Sequence, residues 1–167
     1  LARVPLLPGP SRDVVAVESC ELGGTMWLGG FDTTAASGPA DYTPLAQGAD
    51  GDEVSLAAIQ VAATTVTGGT LAHVLVSTNL TGISLPTAAY NAAVQRIDTA
   101  FQPTFGKSYG PNVCVTATTT DLAALPSLTL VFPDMASGTI SVTVPASQSY
   151  LQKSGSEYCA MLFNGGS

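Results

Sequence analysis

Charge is what this sequence of 167 residues has least of: Asp, Glu, Lys and Arg make up 10% of it, against roughly 25% in an ordinary globular domain. Only five residues are basic, and the net charge is −7. Nucleic-acid binding needs Lys and Arg clustered against phosphates, so five scattered cations exclude that class. The negative balance also disfavours adhesion to anionic membranes. No apolar run reaches the roughly 18 residues that a membrane-spanning helix requires. His73 is the sole histidine and has no Cys or His partner at a useful spacing, so no metal site is expected. Neither GxxxxGK[ST] nor GxGxxG occurs, which leaves the glycine pairs without a phosphate-binding role and predicts no cofactor. The opening Leu1-Ala2-Arg3-Val4-Pro5 has neither an initiator Met nor the architecture of a signal peptide. The expectation is a mature product or a piece of a longer protein.

What the sequence does have is apolar and turn-forming residues. Hydrophobic residues make up 46%, Ser and Thr supply most of the polarity, and there are 17 Gly and 11 Pro. This composition predicts a β-rich, turn-rich chain of a secreted type, long enough for one domain with a real core. Residues 1–12, with Pro5, Pro8, Gly9 and Pro10, read as an extended linker. Residues 13–167 read as a single domain. Val14–Val17 is a first short strand, and Gly23–Asp32 a strand and turn. Gly48–Asp52 is an acidic turn. Asp50, Asp52 and Glu53 lack the spacing and the late Glu of an EF-hand, so a solvated hairpin turn is the reading.

Val54–Leu56 and Ile59–Val61 form a strand whose alternation slips at Ala57-Ala58, which predicts a bulge. Thr67-Gly68-Gly69-Thr70 turns the chain into an apolar strand, Leu71–Ser77. After Pro86, Tyr90, Val94, Ile97 and Phe101 recur at spacings of four, three and four, one face of a helix over 87–101. Pro86 suits its first turn and Pro103 falls just past its end. Strands are expected at Asn112–Ala117, Leu125–Phe132, Ile140–Val144 and Tyr158–Phe163, with a short helical turn at Thr120–Leu125.

One stretch organises the rest: Val74-Leu75-Val76-Ser77-Thr78-Asn79-Leu80-Thr81-Gly82-Ile83-Ser84-Leu85-Pro86, an apolar strand, a polar turn, an apolar exit, Pro and a helix. It resembles the active-site segment in the second, C-terminal lobe of pepsin-like (family A1) aspartic proteases, which reads apolar-apolar-Asp-Thr-Gly-Ser/Thr-Ser, then a short apolar run and Pro. Gly23–Asp32, Tyr42-Thr43-Pro44-Leu45, Leu125–Phe132 and Tyr150-Leu151 resemble further segments of that lobe, in the same order. The resemblance implies a mainly β fold with one clear helix at about 87–101. It also implies a disulfide between Cys114 and Cys159, worth about 4 kcal/mol in a chain-entropy account. Cys20 is left over, either paired with another chain or segment or a buried free thiol.

The chain departs from the family at the residues that matter. Ser77 stands where the catalytic Asp belongs, and Asn79 where the Gly belongs. In the family two carboxylates share a proton and activate water; a Ser hydroxyl does not titrate usefully, and no Asp lies between Glu53 and Asp98. Ser77, Thr78, Asn79 and Thr81 thus form a degenerate loop equivalent to the active site. Ordinary turn residues with satisfied hydroxyls are the structural reading. Ser77 as a nucleophile fails on distance: His73 is four residues away, about 13 Å along a strand, beyond the roughly 3 Å of a hydrogen bond. Gly82-Ile83-Ser84-Leu85-Pro86 lacks the closing Gly of a GxSxG elbow. Asn79-Leu80-Thr81 is a glycosylation sequon.

The family continues with an apolar-apolar-Gly-Asp strand beside this loop. That strand is not seen in the sequence, and the ending Asn164-Gly165-Gly166-Ser167 reads as well as an expression linker. A sheet edge beside Ser77 should then be unpaired unless another chain fills it. The expected function is a non-catalytic scaffold or binding module, secreted, at the cell surface or in the secretory lumen. Plant xylanase-inhibitor and basic-globulin relatives are the analogy, and a polypeptide or a carbohydrate-active enzyme is a possible target. The alternative is a processed fragment or subunit of a larger aspartic endopeptidase whose other lobe and closing strands lie in another chain. A lectin-like or structural β-domain unrelated to proteases is the third reading.

Overall fold

The computed structural model describes residues 41, 43–46, 53–77, 81–134 and 138–166 in full, and the backbone of 15–20 and 23–28. Contacts divide the chain into two compact units, Leu1–Ala40 and Asp41–Ser167. In the first, β1 (Val15–Cys20) and β2 (Gly23–Leu28) form an antiparallel hairpin with Cys20 opposite Gly23. The expected linker 1–12, the turn at 29–32, the acidic residues Asp50 and Asp52, and the Cys20 thiol lie outside the described residues.

The second unit is mostly strands around one long helix. β3 (Glu53–Leu56) pairs with β6 (Leu71–Leu75), whereas β4 (Ala58–Val61) joins β5 (Thr64–Thr65), β9 (Leu128–Pro133) and β10 (Thr139–Val144) in the order β10-β9-β4-β5. The slip foreseen at Ala57-Ala58 is thus a change of sheet. Ala57 donates its N–H to Val131, and the ladder irregularity falls one step earlier, between Val54 and Leu56. There the Ser55 hydroxyl donates to the Ala72 carbonyl at 3.0 Å, satisfying a group the irregular ladder leaves over. The β4–β5 turn holds Ala62 and Ala63 at φ 50° and 61°, a left-handed pair where hairpins ordinarily place Asn or Gly.

A third sheet runs β11 (Leu151–Ser154), β12 (Glu157–Ala160), β8 (Cys114–Val115). Cys114 and Cys159 are opposed in its register and form a disulfide. The strand expected over Asn112–Ala117 shrinks to two residues, because Asn112 turns at φ 64° just before it.

Helix α1 spans Thr87–Phe105, past the expected end at 101, with Pro103 inside it. Proline removes one bond to the carbonyl four residues back. The chain nevertheless stays helical, because Phe101 and Phe105 pack with ring centroids 4.8 Å apart. The stop comes at Gly106, at φ 67°, whose N–H reaches the Gln102 carbonyl. The buried stripe is Ala89, Tyr90, Ala93, Ile97 and Phe101, so Ala93 takes the place foreseen for Val94, which is half-buried. This stripe packs with Val61, Leu128, Tyr150 and Leu162 in the core. Helix α2 (Thr119–Ala124) begins with a capping box, Thr118 and Asp121 bonding each other's backbone N–H.

Two tyrosines lock the core to the outer strands. Tyr109 donates its hydroxyl to the Tyr150 carbonyl at 2.8 Å and accepts from Leu162 N–H; Tyr150 donates to the Pro126 carbonyl at 2.6 Å. Burial pushes both phenols well above their ordinary range, so both stay protonated and able to donate.

Candidate functional site

The site loop hangs between two short strands. β6 brings the chain to Leu75, followed by Val76 and a half-buried Ser77. Thr78, Asn79 and Leu80 lie outside the described residues, so the sequon is not placed. The chain resumes at exposed Thr81, turns at Gly82, and enters β7 (Ile83–Leu85) and then α1, with Pro86 at the N-cap. The expected strand 71–77 therefore stops at Leu75, where the ladder with β3 ends at the Glu53–Leu75 pair.

Gly82 is the fixed point. Its φ is 89°, and a Cβ there would stand 2.5 Å from the Met161 carbonyl and 2.6 Å from the Phe163 ring. Only glycine accepts that backbone and that contact together. The contact exists because β13 (Leu162–Asn164) runs parallel to β7, with Leu162 opposite Ile83 and Asn164 opposite Leu85. Ile83 N–H donates to the Met161 carbonyl and Gly165 N–H to the Leu85 carbonyl, each at 2.8 Å. Beyond the ladder, Asn164 Oδ1 accepts from the Thr87 hydroxyl at 2.9 Å and from Gly166 N–H at 3.0 Å. Gly166 in turn accepts from Thr87 N–H, one of the orphan donors at the start of α1.

This corrects the expectation that no strand lies beside the loop. Leu162–Asn164 supplies one for β7 from within the chain, and Gly165 and Gly166 bond to Leu85 and Thr87 beside it. Gly165 sits so close to β7 that an added Cβ would meet Ser84 Oγ at 2.6 Å. The other flank differs. Among the described residues no strand pairs with the second edge of β6. Beside it is an apolar groove of about 400 Å³, lined by Leu71, Val74, Leu75, Val76, Ile83 and Phe132 among others. Leu75 and Val76 are 60% and 57% exposed.

Three of the described acids have structural partners. Glu53 Oε2 meets His73 Nδ1 at 2.9 Å across β3 and β6. His73 thus has a carboxylate partner, as a satisfied strand histidine should. Asp98 accepts from Tyr109 N–H at 2.7 Å, positioning the tyrosine. Asp121 caps α2, and the Thr118 backbone N–H, then its hydroxyl, hold that carboxyl below its ordinary range. Among the described residues no group of three or more His, Cys, Asp or Glu stands close enough to hold a metal. No helix among them is long and apolar enough to cross a membrane.

The family model for eukaryotic aspartyl protease matches residues 14–167, and the chain belongs to that family. No curated protein matches the sequence. Within this frame, the pairing of β13 with β7 is the feature that the sequence reading missed. Its local signal was the apolar pair Leu162-Phe163 followed by Asn-Gly-Gly, glycines of the kind that permit close backbone approach.

Proposed function

We propose that this chain is a catalytically degenerate second lobe of a pepsin-like protein and serves as a scaffold or binding module. Ser77 carries the reading. It lies two residues past the end of β6, where by resemblance the family presents its second carboxylate, and a hydroxyl cannot share a proton with an opposing Asp to activate water. Three of the described acids support it further, since Glu53, Asp98 and Asp121 each have a structural partner. The bare end of β6 and its apolar groove supply a surface for another protein chain or segment. Disulfide chemistry and composition fit a secreted, cell-surface or lumenal protein, with Asn79 a glycan acceptor and Cys20 either buried or bonded to another chain.

The test is hydrolysis of a fluorogenic peptide library from acid to neutral pH, using the native material and Ser77→Ala. No turnover by either is the expected result. Turnover that Ser77→Ala leaves intact would mean an acid supplied from outside this chain. It would replace this reading with the alternative, a fragment or subunit of a larger endopeptidase. That alternative is favoured only by the unpaired edge of β6. Intact mass, reduced and non-reduced and with glycan removal, checks Cys20 and Asn79.

A further inference from the structure

A second cleft lies beside Thr81 and Gly82, next to the start of β11. It holds about 300 Å³, the lower end of the range for small-molecule sites. Thr81, Ser147, Gln148, Ser149 and Gln152 line it with hydroxyls and carboxamides. Leu151 and Met161 complete the wall, and no charged side chain is among the described residues that line it. An uncharged wall offers nothing to balance a phosphate, a carboxylate or a cation. Hydroxyls and carboxamides instead both donate and accept. A ligand whose groups also do both, spaced around a body with apolar C–H faces, matches that lining.

We propose that this cleft binds a neutral saccharide of one or two rings. The hydroxyls of the sugar would meet the five polar side chains, and a C–H face would rest on the half-buried Met161. The walls are already tied to one another. Ile83 N–H donates to Met161, Met161 N–H to Tyr150 at 2.9 Å, and Gln148 N–H to Pro145 at 3.0 Å. The Ser149 hydroxyl is held by the Pro145 carbonyl at 2.9 Å. Binding therefore orders little besides the exposed ends of Gln148 and Gln152, which limits its entropic cost. With no aromatic platform among the described lining residues, the expected affinity is in about the millimolar range. This proposal rests on the lining of the cleft and stands whether or not the Ser77 loop is catalytic.

The experiment is an amide-resolved NMR titration of the protein with cellobiose and with N-acetylglucosamine. Glucose 6-phosphate and a capped tetra-alanine serve as the charged and peptide probes. Saturable shifts confined to Thr81, Gly82 and residues 147–152 are expected with at least one neutral sugar. The double variant Gln148→Ala/Gln152→Ala changes two exposed side chains and leaves the core intact. It should bind about tenfold more weakly, the factor that one lost hydrogen bond accounts for. Three results overturn the proposal. They are no saturable shift with either sugar, shifts that the double variant leaves unchanged, or tighter binding of the phosphate or the peptide at these same amides.

Discussion

The two strands that flank the site loop are treated in opposite ways by the rest of the chain. On the exit side, β7 is paired with β13, tied by Asn164 to the first turn of α1, and backed by the core residues Leu85 and Leu162. On the entry side, β6 has β3 along one edge, an apolar groove beside it, and two exposed aliphatic residues at its end. Under the proposed reading, the paired exit strand anchors a surface on which the entry strand offers apolar area to a partner.

The comparison can be broken most severely at the clasp. Leu162→Ala removes a side chain that is 0% exposed, and about 4 kcal/mol should be lost, since core Leu→Ala changes leave a cavity as well as a transfer cost. Denaturant unfolding measures it, and a loss no larger than that of a surface change would mean β13 does not belong to the core. Gly82→Ala should cost about 3 kcal/mol, from left-handed backbone strain and from the collision with the Met161 carbonyl. Gly68→Ala is its control, with nothing within 4 Å of the added carbon. Equal effects at the two glycines would remove the argument for a tight β7–β13 contact.

On the open flank the expected effects are small. Leu75→Thr and Val76→Thr should shift stability by no more than about 0.5 kcal/mol, the range of ordinary surface changes. They should also lessen any tendency to associate, read by sedimentation. A loss as large as that at Leu162 would mean these residues are already covered. The smallest effect sits away from both flanks. The Asp121 carboxyl is held below its ordinary range, so its cap is complete above the ordinary carboxylate range and is lost as pH falls through the lowered folded value. Amide exchange in α2 should rise only in acid, while β7 and β13 keep their protection. Fraying that begins near neutral pH would assign the cap to other groups.

Local pattern made part of this legible. The helix was readable from Tyr90, Ile97 and Phe101 because a 3.6-residue period needs no distant information, and α2 was readable as a helical turn. Its far end was misread because proline was given more weight than the Phe101–Phe105 packing that carries the helix to Gly106. The change of sheet at Ala57 left only a break in alternation, which a bulge explains equally well. The parallel pairing of β13 with β7 joins residues about eighty positions apart, and nothing in either three-residue segment encodes its partner. The Cys114–Cys159 pairing came from the family resemblance, since three cysteines alone do not define it. The site loop was located by its strand–turn–Pro–helix layout, but the asymmetry of its two flanks became visible only with the strands in place.

Amide hydrogen exchange across the two flanks tests the central claim most directly. The account predicts slow exchange at Ile83, Leu162 and Gly165, and fast exchange at Val76 and at those β6 amides that face away from β3. Uniform protection of every β6 amide in a monomer confirmed by sedimentation would contradict it. The entry strand would then be closed from within, and the surface offered to a partner would not exist.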